Sequence, residues 1–325
     1  AGTIREAAGE PRTVSPEQGR APAAVFTADG HTAQLLCSVS DAEAGARARR
    51  NGAAGIGLVR SEYLFPPDGR LPDSDFFEAR LRELCSALHP LPVNIRLPDI
   101  AADKRPPWLD SSSGLANPLG LRGVRLYAEP RVRAVVAAEL DAIARLAPDF
   151  DLAILLPYVT SVEEFLALRR WVEGQLPVPM MVGAMLENPA AVLATDRWRE
   201  LTALIAIGCN DLAQALFAAD RDIPTVNRLL DPCSPVIYRM LRLAADGAAA
   251  GAENIVLCGL LPQLPGILPV LLGLGFRRFS VEPVLLAQVA ERVAGTRLDE
   301  AERLANTVCA APDSESVRGL LGLRA

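Results

Sequence analysis

Short apolar runs alternate with amphipathic stretches along most of the chain. Runs at 34–38, 55–59, 92–96, 152–156, 180–186, 204–207, 254–257 and 277–280 are short and nearly continuous in apolar character, as strands covered on both faces are. Between most of them, apolar residues recur at helical spacing, at 41–51, 75–88, 130–146, 161–173 and 235–250. Several of these stretches open on Ser, Asp or Pro, residues suited to a helix start. Buried strands that alternate with covering helices imply a parallel sheet. Eight such strands over about 250 residues predict a single α/β domain, a closed (β/α)8 TIM barrel, spanning 25–298. An open doubly wound sheet is the competing architecture, but no GxGxxG follows the first strand. Residues 1–24 lack a sustained apolar period and read as an irregular arm, and 299–325 read as a helical extension.

Composition narrows the classes of function. Half of the 325 residues are apolar, enough for one large core, and the net charge is −6 with arginine far outnumbering lysine, which argues against a nucleic-acid partner. Residues 1–20 are polar and broken by Pro11 and Pro16, so no signal peptide is expected. Cys37, Cys85, Cys209, Cys233, Cys258 and Cys309 form no CxxC pair, and a chain of this length needs no disulfide, so a reduced, cytoplasmic setting is expected. Residues 255–276 carry no charge, yet Pro262, Pro265 and Pro269 interrupt them. They read as a strand, a turn and a packed helix rather than a membrane span.

In a barrel the chemistry sits at the C-terminal ends of the strands, and here those ends are rich in charge. The second strand ends in Arg60, followed by Ser61 and Glu62, and the third in Arg96, followed by Asp99 and then Asp103-Lys104. The fifth ends in Glu187, the sixth at Asn210-Asp211 with Arg221 ten residues on, and the seventh in Cys258-Gly259. An anionic metal ligand, an amide and cations converging on one mouth would suit a magnesium-bound phosphorylated acid.

These residues fall in blocks that resemble a known family. ADGH (28–31), NGAAGIGLVRSEYLF (51–65), VNIRLPDIAADK (93–104), NPLGLRGVR (117–125), LPYVTSVEEF (156–165), VGAMLENPAA (182–191), IGCNDLAQALFAADR (207–221), PCSPVI (232–237) and LCGLLP (257–262) occur in family order. The chain resembles the C-terminal phosphoenolpyruvate-binding barrel of the phosphoenolpyruvate-utilising enzymes, which include enzyme I of the bacterial sugar phosphotransferase system, pyruvate phosphate dikinase and phosphoenolpyruvate synthase, with enzyme I the nearest in pattern. The resemblance implies that Arg60 and Arg96 clamp the substrate phosphate, that Arg122 and Arg221 hold phosphate or carboxylate, and that Asn210 hydrogen-bonds a phosphate oxygen. It implies Glu187 and Asp211 as Mg²⁺ ligands and Cys258 as the general acid that protonates the methylene carbon of enolpyruvate. A thiol with a pKa near ~8.5 holds its proton at neutral pH and can give it up. The implied function is a Mg²⁺-dependent phosphotransferase that passes the phosphoryl group of phosphoenolpyruvate to a histidine acceptor and releases pyruvate. Family analogy also implies a homodimer.

Several positions depart from the pattern. Leu260 stands where the family carries an acid, LPQLPG follows it, Ala101-Ala102 replace a glycine pair, one residue is missing in NPLGLR, and Cys209 replaces a threonine. Neither His31 nor His89 lies in a phosphohistidine-like context, so the acceptor is expected in a separate protein or domain. Two other readings stand beside this one, the first drawn from these departures and the second from related barrel chemistry. One is a non-catalytic module that senses phosphoenolpyruvate or pyruvate. The other is a Mg²⁺-dependent, enolate-forming lyase of the citrate or malyl-thioester type.

Overall fold

The computed structural model of the protein describes residues 24–101, 105–109 and 120–323. Nine strands follow in chain order: β1 (Ala24–Phe26), β2 (Thr32–Val39), β3 (Ile56–Arg60), β4 (Val93–Arg96), β5 (Leu152–Val159), β6 (Met181–Leu186), β7 (Ile205–Gly208), β8 (Val256–Cys258) and β9 (Arg278–Val281). From β2 to β9 every neighbour is parallel, and β9 pairs back with β2. The sheet is therefore a closed eight-stranded barrel, the (β/α)8 fold that the alternation predicts. Each expected strand overlaps an observed one. At 254–257 the strand begins only at Val256, because a 3₁₀ turn over Ala249–Asn254 takes up residues before it.

One strand was not anticipated. β1 forms an antiparallel hairpin with β2, and ADGH is its turn, with Gly30 at φ 88°. Asp29 fastens that turn by accepting from the Thr27 hydroxyl and from the Leu298 amide. Three residues carry too little alternation to announce a strand. The N-terminal arm lies outside the described residues for 1–23.

The five expected helices appear as Ala42–Arg50, Ser74–Leu88, Pro130–Leu146, Val162–Gln175 and Pro235–Ala248. Asp41, Asp73, Glu129, Ser161 and Ser234 cap them, each side chain accepting an amide of the first turn. The uncharged segment 255–276 resolves into β8 and the helix Leu268–Gly273, and no helix among the described residues is long and apolar enough to cross a membrane. Beyond the barrel, helices Leu298–Ala310 and Ser314–Leu320 form the C-terminal extension. Gly273 lets the first of them pack close, since a Cβ there would run into the Ala301 carbonyl.

Two apolar regions result. A large one fills the space between strands and helices, and a small one, made of Leu36, Leu58, Leu155, Met185, Ala206, Val256 and Cys258, plugs the barrel interior. His31 precedes β2, and His89 lies between a helix and β4, so both sit at the end opposite the strand C-termini. Neither reaches the mouth where the charged strand ends collect.

Candidate active site

Strand geometry delivers the charged residues. Arg60 is the last residue of β3 and Arg96 of β4, while Glu187 follows β6, Asn210 and Asp211 open the helix Cys209–Phe217 after β7, and Cys258 ends β8. A cavity of about 370 Å³ is lined by Arg60, Arg96, Glu187, Asn210, Asp211, Arg221 and Cys258, with Tyr63, Gln263 and Glu282 also on its wall. Seven residues singled out in the sequence thus share one space. Arg122 stands on its carboxylate side rather than on the wall: Nη2 is 3.2 Å from Asp99 Oδ2 and 3.1 Å from Asp211 Oδ1. Its guanidinium also lies 4.2 Å from the centre of the Tyr158 ring. Asp103, Lys104 and the start of NPLGLR fall outside the described residues.

The site is a buried charge network. Arg96 Nη2 donates to Glu62 Oε1 at 2.6 Å, and Nη1 lies 3.5 Å from Asp99 Oδ2 and 3.6 Å from Glu187 Oε1. Burial opposes the positive charge on Arg96, but Glu62, Asp99 and Glu187 outweigh it and hold its pKa above the ordinary value. Burial likewise opposes the charge on Arg122, and Asp99 and Asp211 overcome it. Such pairs persist in a low-dielectric interior only when partner and hydrogen bonds are both supplied. Asp211 Oδ1 also accepts from Gln214 Nε2 at 3.0 Å and has Arg221 Nη1 at 3.7 Å. Arg60 differs from these arginines. No carboxylate among the described residues pairs with it, its Nε is buried without a hydrogen-bond partner, and its guanidinium rests 5.0 Å from the Tyr63 ring centre. It is a cation open to an incoming anion.

The carboxylates form a candidate metal site. Oxygens of Asp99, Glu187 and Asp211 lie within 4.8 Å of one another, all three residues buried. Asp99 Oδ1 is buried with no hydrogen-bond partner among the described residues. An unpaired anionic oxygen beside two further carboxylates fits a hard divalent cation, which prefers oxygen ligands. Burial, and next the neighbouring Asp211 carboxylate, push Glu187 up to about 8, so this group takes either a proton or a cation. Its other oxygen, Oε2, accepts the Tyr158 amide at 2.8 Å. Tyr158 achieves this at φ 53°, within a register shift between β5 and β6.

The next strand carries the thiol, with Cys258 of β8 paired to Gly208 of β7. Cys258 is 1% exposed, and burial, followed by the Glu187 charge, pushes its thiol up to about 12, so it is protonated at neutral pH. Asn210 Oδ1 accepts the Leu260 amide at 3.0 Å, which leaves the Nδ2 donor for the cavity. Gly259 makes this contact possible: at φ 101° it allows the turn, and a Cβ there would lie 2.8 Å from Asn210 Oδ1. The Leu260 side chain is exposed on the rim. The carboxylate absent at 260 has a counterpart one strand over, since Glu282, just past β9, lines the same cavity. Gln263 ties the two strand ends together, donating to the Gly259 carbonyl at 2.8 Å and accepting the Glu282 amide at 3.0 Å.

Reading strand ends from the sequence noticed Asp99 and Glu62 but gave them no site role. Glu282 directly follows β9, the last strand of the barrel, where the same rule would have found it. Nothing local marks Tyr158, whose role depends on a backbone bend.

A family model described as "PEP-utilising enzyme, PEP-binding domain" matches residues 17–298. The chain belongs to the phosphoenolpyruvate-utilising enzymes. It is 33% identical to the multiphosphoryl transfer protein of Xanthomonas campestris pv. campestris over 304 residues, covering 90% of this chain and 35% of that protein. It is 33% identical to the phosphoenolpyruvate-protein phosphotransferase of Cupriavidus necator over 308 residues, covering 89% and 51%. Against the protein of that name from Haemophilus influenzae it is 27% identical over 306 residues, covering 91% and 53%. The chain therefore spans a third to a half of these relatives. In the family's phosphoenolpyruvate-binding domain, the cavity at the strand ends is where the charged residues of this chain gather.

Proposed function

We propose that this barrel binds phosphoenolpyruvate with Mg²⁺ and passes its phosphoryl group to a histidine on a separate protein or domain, releasing pyruvate. One observation carries the reading: buried carboxylates, an arginine that no carboxylate among the described residues pairs with, and a buried, protonated thiol meet in a single cavity of a phosphoenolpyruvate-binding domain. Arg60 and Arg96 bind the phosphate, whose dispersed negative charge suits guanidinium forks. Glu62 fixes the direction in which Arg96 points. Arg122 and Arg221 move their charge from Asp211 toward the phosphate or carboxylate, and Asn210 donates to a phosphate oxygen. Glu187 and Asp211, with Asp99 beside them, would hold Mg²⁺. Bound there, Mg²⁺ supplies neutralisation of the charge that develops on phosphate and enolate oxygens.

Departure of the phosphoryl group leaves an enolate, which must gain a proton on carbon to become pyruvate. Cys258 holds that proton on the wall of the same cavity. A thiol is the suitable donor because burial keeps it protonated until a strongly basic carbon appears. The names of the relatives, phosphoenolpyruvate-protein phosphotransferases, support an acceptor of that class. Homodimerisation and a cytoplasmic setting belong to the same proposal.

Incubation with labelled phosphoenolpyruvate, Mg²⁺ and histidine-bearing phosphocarrier proteins tests it. Label on the acceptor together with pyruvate release is the expected result. Calorimetry that shows no phosphoenolpyruvate binding, and label that never leaves the substrate, would overturn the reading.

A further inference from the structure

One hydroxyl on the cavity wall and a second buried behind it have no part in the scheme above. Ser280 Oγ lies 2.8 Å from Ser38 Oγ, and either can donate to the other. Ser280 is wholly buried beside the apolar plug of the barrel, while Ser38 is half-buried and lines the cavity. Burying a hydroxyl among apolar groups is unfavourable unless it is hydrogen-bonded. Alanine would serve the packing, so the polar pair calls for a reason.

The strand register supplies one. Cys258 on β8 pairs directly with Ser280 on β9. Side chains alternate along a strand, and Cys258 shares the interior plug with Val256 two residues before it. Ser280 faces the same interior, since a Cβ on Gly57 of β3 would lie 2.6 Å from its Oγ. Glycine at 57 is what leaves room for that hydroxyl. Ser280 thus neighbours Cys258 on one side and bonds on the other to Ser38, which is the most exposed of the three. Ser280 neighbours the thiol across the strand pair and opposes the effect of burial on it.

Once Cys258 has given its proton to carbon, a thiolate remains at a position with almost no contact with water. Resting on the proposed chemistry of this site, we propose that the Ser280–Ser38 hydroxyl pair returns the proton to Cys258 from the solvent in the cavity. As the C3–H bond forms, the Sγ–H bond breaks. The thiolate then takes the Ser280 hydroxyl proton, Ser280 takes that of Ser38, and Ser38 takes one from a hydrated acid in the cavity. The sum moves one proton from solvent to carbon and changes no oxidation state. A hydroxyl both donates and accepts, so the same chain runs backward when pyruvate is enolised.

Exchange of the pyruvate methyl hydrogens for deuterium, followed by NMR in D₂O with Mg²⁺, reads this traffic and needs no phosphoryl acceptor. Ser280→Ala and Ser38→Ala, each checked for folding by circular dichroism, are expected to slow exchange at least tenfold. Pyruvate Kd by calorimetry should stay within about twofold, because neither hydroxyl is asked to bind substrate. Added imidazole should restore exchange in proportion to its concentration in both variants, and Ser38→Thr, which keeps the hydroxyl, should resemble the wild type. A wild-type protein that does not exchange pyruvate would overturn the functional reading beneath the relay. Wild-type exchange with undiminished rates in the alanine variants, or slowed variants that imidazole does not rescue, would overturn the relay alone.

Discussion

The amide of Tyr158 donates to Oε2 of Glu187 at 2.8 Å from a backbone in the left-handed region, φ 53°. A non-glycine residue in that region is disfavoured by roughly 1–2 kcal/mol, so the fold spends stability to aim one N–H at a candidate metal ligand. Gly123, itself at φ 51°, is the support: a Cβ there would lie 2.5 Å from the Tyr158 Cβ. Gly123→Ala is therefore expected to displace Tyr158 and turn Glu187. Stability in urea should fall by about 1–3 kcal/mol from strain and overpacking, and Mn²⁺ or Mg²⁺ affinity by calorimetry should weaken about tenfold or more, as when a group that orients a ligand is lost. Unchanged metal affinity would show that Glu187 does not depend on this support.

Glu62 and Arg96 form a buried pair at 2.6 Å. Removing one partner leaves charge without compensation, which in buried pairs destabilises by about 3–5 kcal/mol. Glu62→Ala should fall at or below the low end of that range, because Asp99 and Glu187 still face Arg96. Urea unfolding measures it, and a loss below about 0.5 kcal/mol, the size expected of an exposed pair, would mean that Glu62 does not hold the guanidinium.

Glu139 offers a pH signature away from the cavity. It is fully buried in the helix Pro130–Leu146, neither oxygen has a well-formed hydrogen bond among the described residues, and burial pushes it up to about 8 from an ordinary 4.5, with Glu62 adding to the rise and Ser61 opposing it. Below 4.5 both folded and unfolded chains hold the proton. Between 4.5 and 8 the folded chain keeps a proton that the unfolded chain releases, so stability falls as pH rises, by about 1.4 kcal/mol per pH unit. Above 8 both are ionised and the loss is complete. Glu139→Gln abolishes that slope. The stability of the variant relative to wild type should climb by about 3 kcal/mol from pH 5 to pH 7 and level off beyond 8. A difference that stays constant across urea titrations at pH 5, 7 and 9 would show that Glu139 does not titrate in this way.

Cys258→Ala removes the proposed proton donor and little else, since the side chain lies in the apolar plug. Pyruvate methyl exchange should drop to background, while phosphoenolpyruvate Kd stays within about threefold, the split expected of a group that acts only in the chemical step. Exchange that survives the substitution would assign the proton to another group.

Much of this protein could be read from its chain alone. The eight strands and five long helices are visible because their signals are local: apolar continuity, helical spacing and a capping side chain at each start. The candidate residues at 60, 96, 187, 210, 211, 221 and 258 were also findable, because parallel strands in a barrel bring their C-terminal ends to one mouth whatever their separation in sequence. Only the tertiary structure decides how the charges are shared. Arg122 and Asp211 are 89 positions apart, yet they pair at 3.1 Å, while Arg60, equally charged in the sequence, meets no carboxylate among the described residues. The bend at Tyr158, the approach of Asp99 to Glu187 and Asp211, and the alignment of Cys258, Ser280 and Ser38 depend on strand register and on which side chains close packing turns inward. Hydrophobic period says where a strand runs, but partner, register and distance are set by the whole barrel closing at once.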